Sequence, residues 1–155
     1  MRLTEAAALD FFAMFGRFEF SMISAGFVRA GRNDSAEPDW NGLIACREQC
    51  DEADIQPLLD AGAQLAAAPP KRLVLVNGVP DYVEAIRGGQ SNVRFLVEAV
   101  KRARNNLFHG GKYRTARFPV ARNAFVVGES IQVLQALLDL PRLHRVRAAY
   151  ENLPP

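Results

Sequence analysis

Apolar residues recur at helical spacing along most of the chain, and the first stripe is the densest. From Leu3 to about Ala30, Phe11, Phe15, Phe18 and Met22 stand at i, i+4, i+7 and i+11, with Leu9, Phe12 and Ile23 widening the band. That period predicts one long helix. Phe11, Phe12, Phe15, Phe18, Phe20 and Phe27 all fall in this stretch, out of ten phenylalanines in the chain. A helix so apolar around its girth is either central or buried on two sides, the second by a partner subunit. Residues 31–39, GRNDSAEPD, are turn formers and predict a loop.

Trp40 to about Cys50 predicts a short helix. A second begins near Asp54, which can cap it with Pro57 in the first turn, and runs through Leu58, Leu59 and Leu65 to stop at Pro69-Pro70. Lys71 to Asn77 is the one strand-like run; it has no obvious pairing partner and reads equally as a buried extended connector. Val79 to Gly89 is ambiguous, with room for one or two helical turns.

The helical period returns at Ser91. Val93, Val97, Val100 and Leu107 share one face, and Arg104 falls on that same face. The helix must end near His109, because Gly110-Gly111 follow and glycine is favoured just past a helix end. Tyr113 to Pro119 predicts a basic loop. Ala121 to Leu138 predicts another helix through Val127, Ile131, Leu134 and Leu138, and Pro141 opens a last short one through Leu143, Val146 and Tyr150. There are no internal repeats and no linker. The expectation is an all-α fold, a single helical domain over residues 1–155, built on a long helix pair with short accessory helices and one extended segment.

Composition agrees with one domain: 155 residues, 49% hydrophobic, can bury an independent core. The net charge of +2 conceals an uneven distribution. Between Glu98 and Glu129 there is no acidic residue, while Lys101, Arg102, Arg104, Lys112, Arg114, Arg117 and Arg122 are present. Earlier, Asp34, Glu37, Asp39, Glu48, Asp51, Glu52, Asp54 and Asp60 outweigh Arg32 and Arg47. One reading is a basic surface that attracts phosphates, opposite an acidic one; the other is a set of solvated helix faces.

Cys46 and Cys50 are the only cysteines, and their spacing suits neighbours on a helix better than a disulfide framework. With two histidines elsewhere they match no standard zinc finger, so no metal and no cofactor is expected. Gly128-Glu129-Ser130 lacks the second glycine of a nucleophile elbow, and no phosphate-binding glycine loop occurs. Glu5 and Asp10 interrupt the stretch where a signal peptide would be apolar, and no run reaches ~18 apolar residues. A soluble cytoplasmic protein with no membrane partner is expected.

Candidate chemistry concentrates in RARNNLFHGGK, Arg102 to Lys112. An arginine on an apolar stripe costs free energy unless its charge is paired or opens into a polar cleft. His109, at a helix carboxyl end, meets the negative end of the dipole, which favours the imidazolium form. Beside a fixed guanidinium it suits an anionic, phosphate-bearing substrate, and it can exchange a proton near neutral pH. Positions i and i+5 of an ideal helix diverge by roughly 140°, so either the helix end bends His109 back or the site combines residues of two chains. The structural alternatives are that His109 caps a helix and Arg104 pairs with Glu19 or another carboxylate. His144, among Arg142, Arg145 and Arg147, reads as merely exposed.

RNNLFHGG, Arg104 to Gly111, resembles the motif of the HEPN superfamily: Arg, four to six residues, then His, here with four between and a polar Asn105 after the arginine. FGRFEFSMISAGF, Phe15 to Phe27, resembles the first long helix of several bacterial HEPN groups. The resemblance implies an all-helical bundle and a metal-independent endoribonuclease that uses the substrate's own 2′-hydroxyl, leaving a 2′,3′-cyclic phosphate and a 5′-hydroxyl. It implies a homodimer with the two Arg-His motifs facing across a shared cleft, in the setting of a toxin or defence system held in check by an antitoxin or regulatory protein. By that resemblance, Arg104, Asn105 and His109 are the catalytic candidates: His109 as acid or base, Arg104 on the scissile phosphate, Asn105 positioning the phosphate or its neighbours. Lys101, Arg102, Lys112 and Arg114 would hold the RNA backbone, while Glu19 and Tyr113 are candidates to orient or assist the motif. The accessory region 34–81 would be a subfamily element or a partner surface. The alternative is a non-catalytic HEPN module that binds nucleotide, RNA or a protein.

Overall fold

The computed structural model describes residues 5–47, 49–108 and 120–154. It is mainly helical, with two small antiparallel hairpins. The stripe at the amino end forms α1 (Glu5–Ser24), which buries Phe11, Phe15, Phe18 and Met22. This helix stops short of Ala30. Gly26 takes φ +96, and Val28–Ala30 becomes strand β1, paired with β2 (Ala36–Pro38) across the expected loop. Three-residue strands are too short to show a period of two, so nothing in the local pattern separates them from the helix before them.

α2 (Trp40–Arg47) follows as predicted. α3 (Glu52–Ala61) starts before Asp54, so that residue lies inside the first turn instead of capping it, and Pro57 sits further in. The helix does not continue to Pro69. It breaks at Gly62, where the side chains of Leu96 and Val133 crowd the bare α-carbon, and α4 (Ala63–Ala67) resumes beyond it.

The strand-like run is not a connector. β3 (Arg72–Val76) pairs with β4 (Val79–Val83) in a hairpin turned by Asn77 and Gly78, both at positive φ (51° and 78°). Asn-Gly is the residue pair that a two-residue hairpin turn of this hand prefers. The ambiguous segment after it is therefore strand and loop, not helix.

α5 (Asn92–Phe108) and α6 (Val120–Leu138) are the two late helices, and α7 (His144–Asn152) closes the chain after a short 3-10 turn at Pro141–Leu143. α5 packs against α1, α3, α4 and α6, and α1 also packs along α6 and α7. Val93, Leu96, Val97, Ala99, Val100 and Ala103 are all buried, so α5 is an interior helix, as is the phenylalanine-rich α1. Among the described residues no single helix is long and apolar enough to cross a membrane, and no three of His, Cys, Asp and Glu gather where a metal ion could be held.

Candidate functional site

Arg104 lies near the carboxyl end of α5, on the apolar stripe where the sequence places it, and it is half-buried. Its guanidinium carbon is 5.4 Å from the centroid of the Phe15 ring and 5.6 Å from that of Phe108. Phe108 in turn meets Phe12 edge-on at 6.3 Å. α1 and α5 thus hold the cation against aromatic faces, which stabilise it by about 0.5–1 kcal/mol without consuming its N–H donors. Nη1 donates to Asn105 Oδ1 at 2.8 Å. Among the described residues no carboxylate forms an ion pair with Arg104.

Glu19 does not fill that place. Its Oε1 accepts a 2.8 Å hydrogen bond from Trp40 Nε1, since the indole N–H of a buried tryptophan needs an acceptor. The expected alliance of Glu19 with Arg104 is therefore corrected: the carboxylate joins α1 to α2. Lys101 is also engaged, with Nζ donating to Glu98 Oε1 at 3.1 Å and standing 5.9 Å from the Trp40 ring centroid.

Arg102 points into a different environment. A cavity of about 340 Å³ is lined by Arg72, Leu73, Glu98, Arg102, Asn105 and Asn106. Arg102 Nε and Nη2 are buried and have no hydrogen-bond partner among the described residues. Burial pushes its guanidinium below the ordinary arginine range; the Glu98 charge opposes that shift and the Arg72 charge adds to it. Asn106 is buried, and its Nδ2 donates to Lys71 O at 2.9 Å, fastening the residue before β3 to α5. Arg72 and Asn106 are not singled out by the sequence. Arg72 comes beside α5 only through tertiary folding, next to the Lys71–Asn106 bond, and the Asn-Gly turn is the signal for the hairpin it belongs to.

Of the remaining candidates, His109, Lys112, Tyr113 and Arg114 lie outside the described residues. The structure thus joins Arg104 to Asn105 by a hydrogen bond, joins Asn105 to Arg102 along one cavity wall, and diverts Lys101 and Glu19 to Glu98 and Trp40. A larger cavity, about 570 Å³, opens beside α1 and α7, but Arg17 on its wall is spent on the chain end. Its Nε and Nη2 donate to Tyr150 O, and Nη2 and Nη1 to Leu153 O and Pro154 O. Those bonds hold residues 150–154 against α1. No protein-family model, curated protein or solved structure matches this chain.

Proposed function

We propose that this protein is a metal-independent endoribonuclease of HEPN type, working as a homodimer on RNA. The observation that carries the reading is Arg104: a guanidinium held between two aromatic rings, half-buried, with no carboxylate partner among the described residues. An arginine with a structural role in a core is normally met by an acid. This one keeps donors available beyond the single bond from Nη1 to Asn105, and a fork of N–H groups suits a phosphate whose charge grows in the transition state.

In the proposed reaction the 2′-hydroxyl attacks the adjacent phosphorus and loses its proton to a base. The bond from phosphorus to the 5′-oxygen breaks, and that oxygen takes a proton from an acid. His109, with four residues between it and Arg104, is the group in the motif able to move either proton near neutral pH. Arg104 holds the non-bridging oxygens, and Asn105 fixes Arg104. Exposed Leu9 and Phe20 on the outer side of α1 offer apolar area to a second copy.

Incubation of RNA with the protein in EDTA tests this. The wild type is expected to cleave and to leave 2′,3′-cyclic phosphate ends, and Arg104→Ala and His109→Ala are each expected to lose about 100-fold or more in rate. Undiminished cleavage by Arg104→Ala would sink the proposal. Binding of RNA without cleavage by the dimeric wild type would instead establish the non-catalytic module.

A further inference from the structure

The cavity between β3 and α5 has a donor set that nothing among the described residues uses. Nε and Nη2 of Arg102 are the two nitrogens of one guanidinium edge, the edge whose parallel N–H groups fit two oxygens of a single anion. Both atoms are buried, and neither has a hydrogen-bond partner among the described residues. A buried charged donor left unmade costs free energy that a fold ordinarily avoids by pairing it. Here the second basic residue on the wall, Arg72, is close enough for its charge to disfavour that of Arg102. The one acid among the described residues of the wall, Glu98, is already met by Lys101 at 3.1 Å.

Two guanidiniums beside one acid that already has a lysine partner, with one forked edge left unpartnered, suit an oxyanion. We propose that this cavity is a phosphate-binding subsite, in which the forked edge of Arg102 grips two oxygens of one phosphate and Arg72, delivered by the β3–β4 hairpin, supplies the second positive charge. The inference rests on the ribonuclease reading for the identity of the polymer, not for the chemistry of the pocket. Asn105 lines the cavity and also accepts from Arg104, so the subsite adjoins the proposed scissile position and would hold a neighbouring phosphate of the same strand. The hairpin thereby forms one wall of the RNA path.

The test uses inorganic phosphate as the probe, titrated calorimetrically into the full chain carrying Arg104→Ala, so that the other guanidinium is absent. Saturable binding is expected in that background, at matched ionic strength against chloride. Adding Arg102→Lys keeps the charge but removes the fork and is expected to weaken binding at least about tenfold. Adding Arg72→Gln, an exposed strand position, is expected to weaken it several-fold, and it stands as the second variant should the Arg102 change disturb folding. Unaltered affinity in both double variants overturns the subsite. No phosphate binding by the Arg104→Ala protein also overturns it, while leaving RNA cleavage by the wild type as a separate result. Binding of guanosine in place of phosphate would overturn it too, because O6 and N7 of guanine present the same pair of acceptors to an arginine fork.

Discussion

Trp40 Nε1 and Glu19 Oε1, 2.8 Å apart, tie the first turn of α2 to the middle of α1. Trp40 stacks on Phe18, with centroids 5.5 Å apart and rings inclined by 12°, so this bond also fixes the aromatic layer that continues through Phe15 to Arg104. Replacing Glu19 by alanine leaves a buried indole N–H unpaired and is expected to cost about 1–3 kcal/mol in urea unfolding. Glu19→Gln keeps an acceptor oxygen and should cost less than half as much. Trp40 is the only tryptophan, so its emission reports the site directly: a red shift in Glu19→Ala and none in Glu19→Gln is the expected pattern.

Gly62 marks the break between α3 and α4 because nothing larger fits there. A β-carbon would stand 2.4 Å from Leu96 Cδ1 and 2.8 Å from Val133 Cγ2. Both neighbours are themselves fully buried and have no room to retreat. Gly62→Ala is therefore expected to destabilise by about 1–3 kcal/mol, although alanine is the better helix former. An unchanged denaturation midpoint would show that the α3–α5–α6 contact is looser than this packing implies.

The late helices were legible because a half-buried helix must repeat its apolar positions with the turn, and Val93, Val97, Val100 and Leu107 do so. Arg104 was legible for the same reason, as a charge interrupting that repeat. The hairpins were legible only in part: Lys71 to Asn77 read as strand-like and Asn77-Gly78 favours a turn, but the pairing did not show. Leu75 and Val79 are 72% and 63% exposed, so β3 and β4 have no buried face to impose alternation, and Pro80 within β4 reads as a strand breaker. The cavity was illegible for a further reason: Arg72 and Arg102 meet only through tertiary folding, and no local period records a contact between residues so far apart in the chain. The pairing of Glu19 with Trp40 was hidden similarly, since an arginine and an indole compete for the same acceptor and only geometry decides.

The turn at Asn77-Gly78 tests the role of the hairpin. Gly78 sits at φ +78, and a β-carbon there would meet no atom within 4 Å, so the cost of Gly78→Ala is conformational alone. That cost is about 1–2 kcal/mol. Hydrogen exchange is expected to accelerate at the paired amides of Arg72–Val76 and Val79–Val83 while α1 and α6 stay protected. Phosphate affinity at the β3–α5 cavity should fall with it, because Arg72 is held by the hairpin. Faster exchange with undiminished phosphate binding would separate the two.

Arg102 carries the opposite expectation, a substitution that strengthens the fold. Burial disfavours its charged form, and the folded chain therefore holds that proton less firmly than the unfolded chain does. An arginine's ordinary value lies so far above neutrality that both states are protonated from roughly pH 5 to 9, so the penalty is constant across that window and is relieved only at strongly alkaline pH. Arg102→Met retains the apolar stem, which packs like the arginine's own methylenes, and removes the two unpartnered donors. The ligand-free variant is expected to gain about 1–2 kcal/mol, equally at pH 6 and pH 8 (roughly the middle of the window). In the Arg104→Ala background, phosphate should stabilise the parent chain and affect Arg102→Met far less, so that the two unfolding curves approach each other as phosphate rises. A variant less stable than the wild type without phosphate would mean that the Arg102 fork is satisfied inside the fold and that the cavity has no need of an anion.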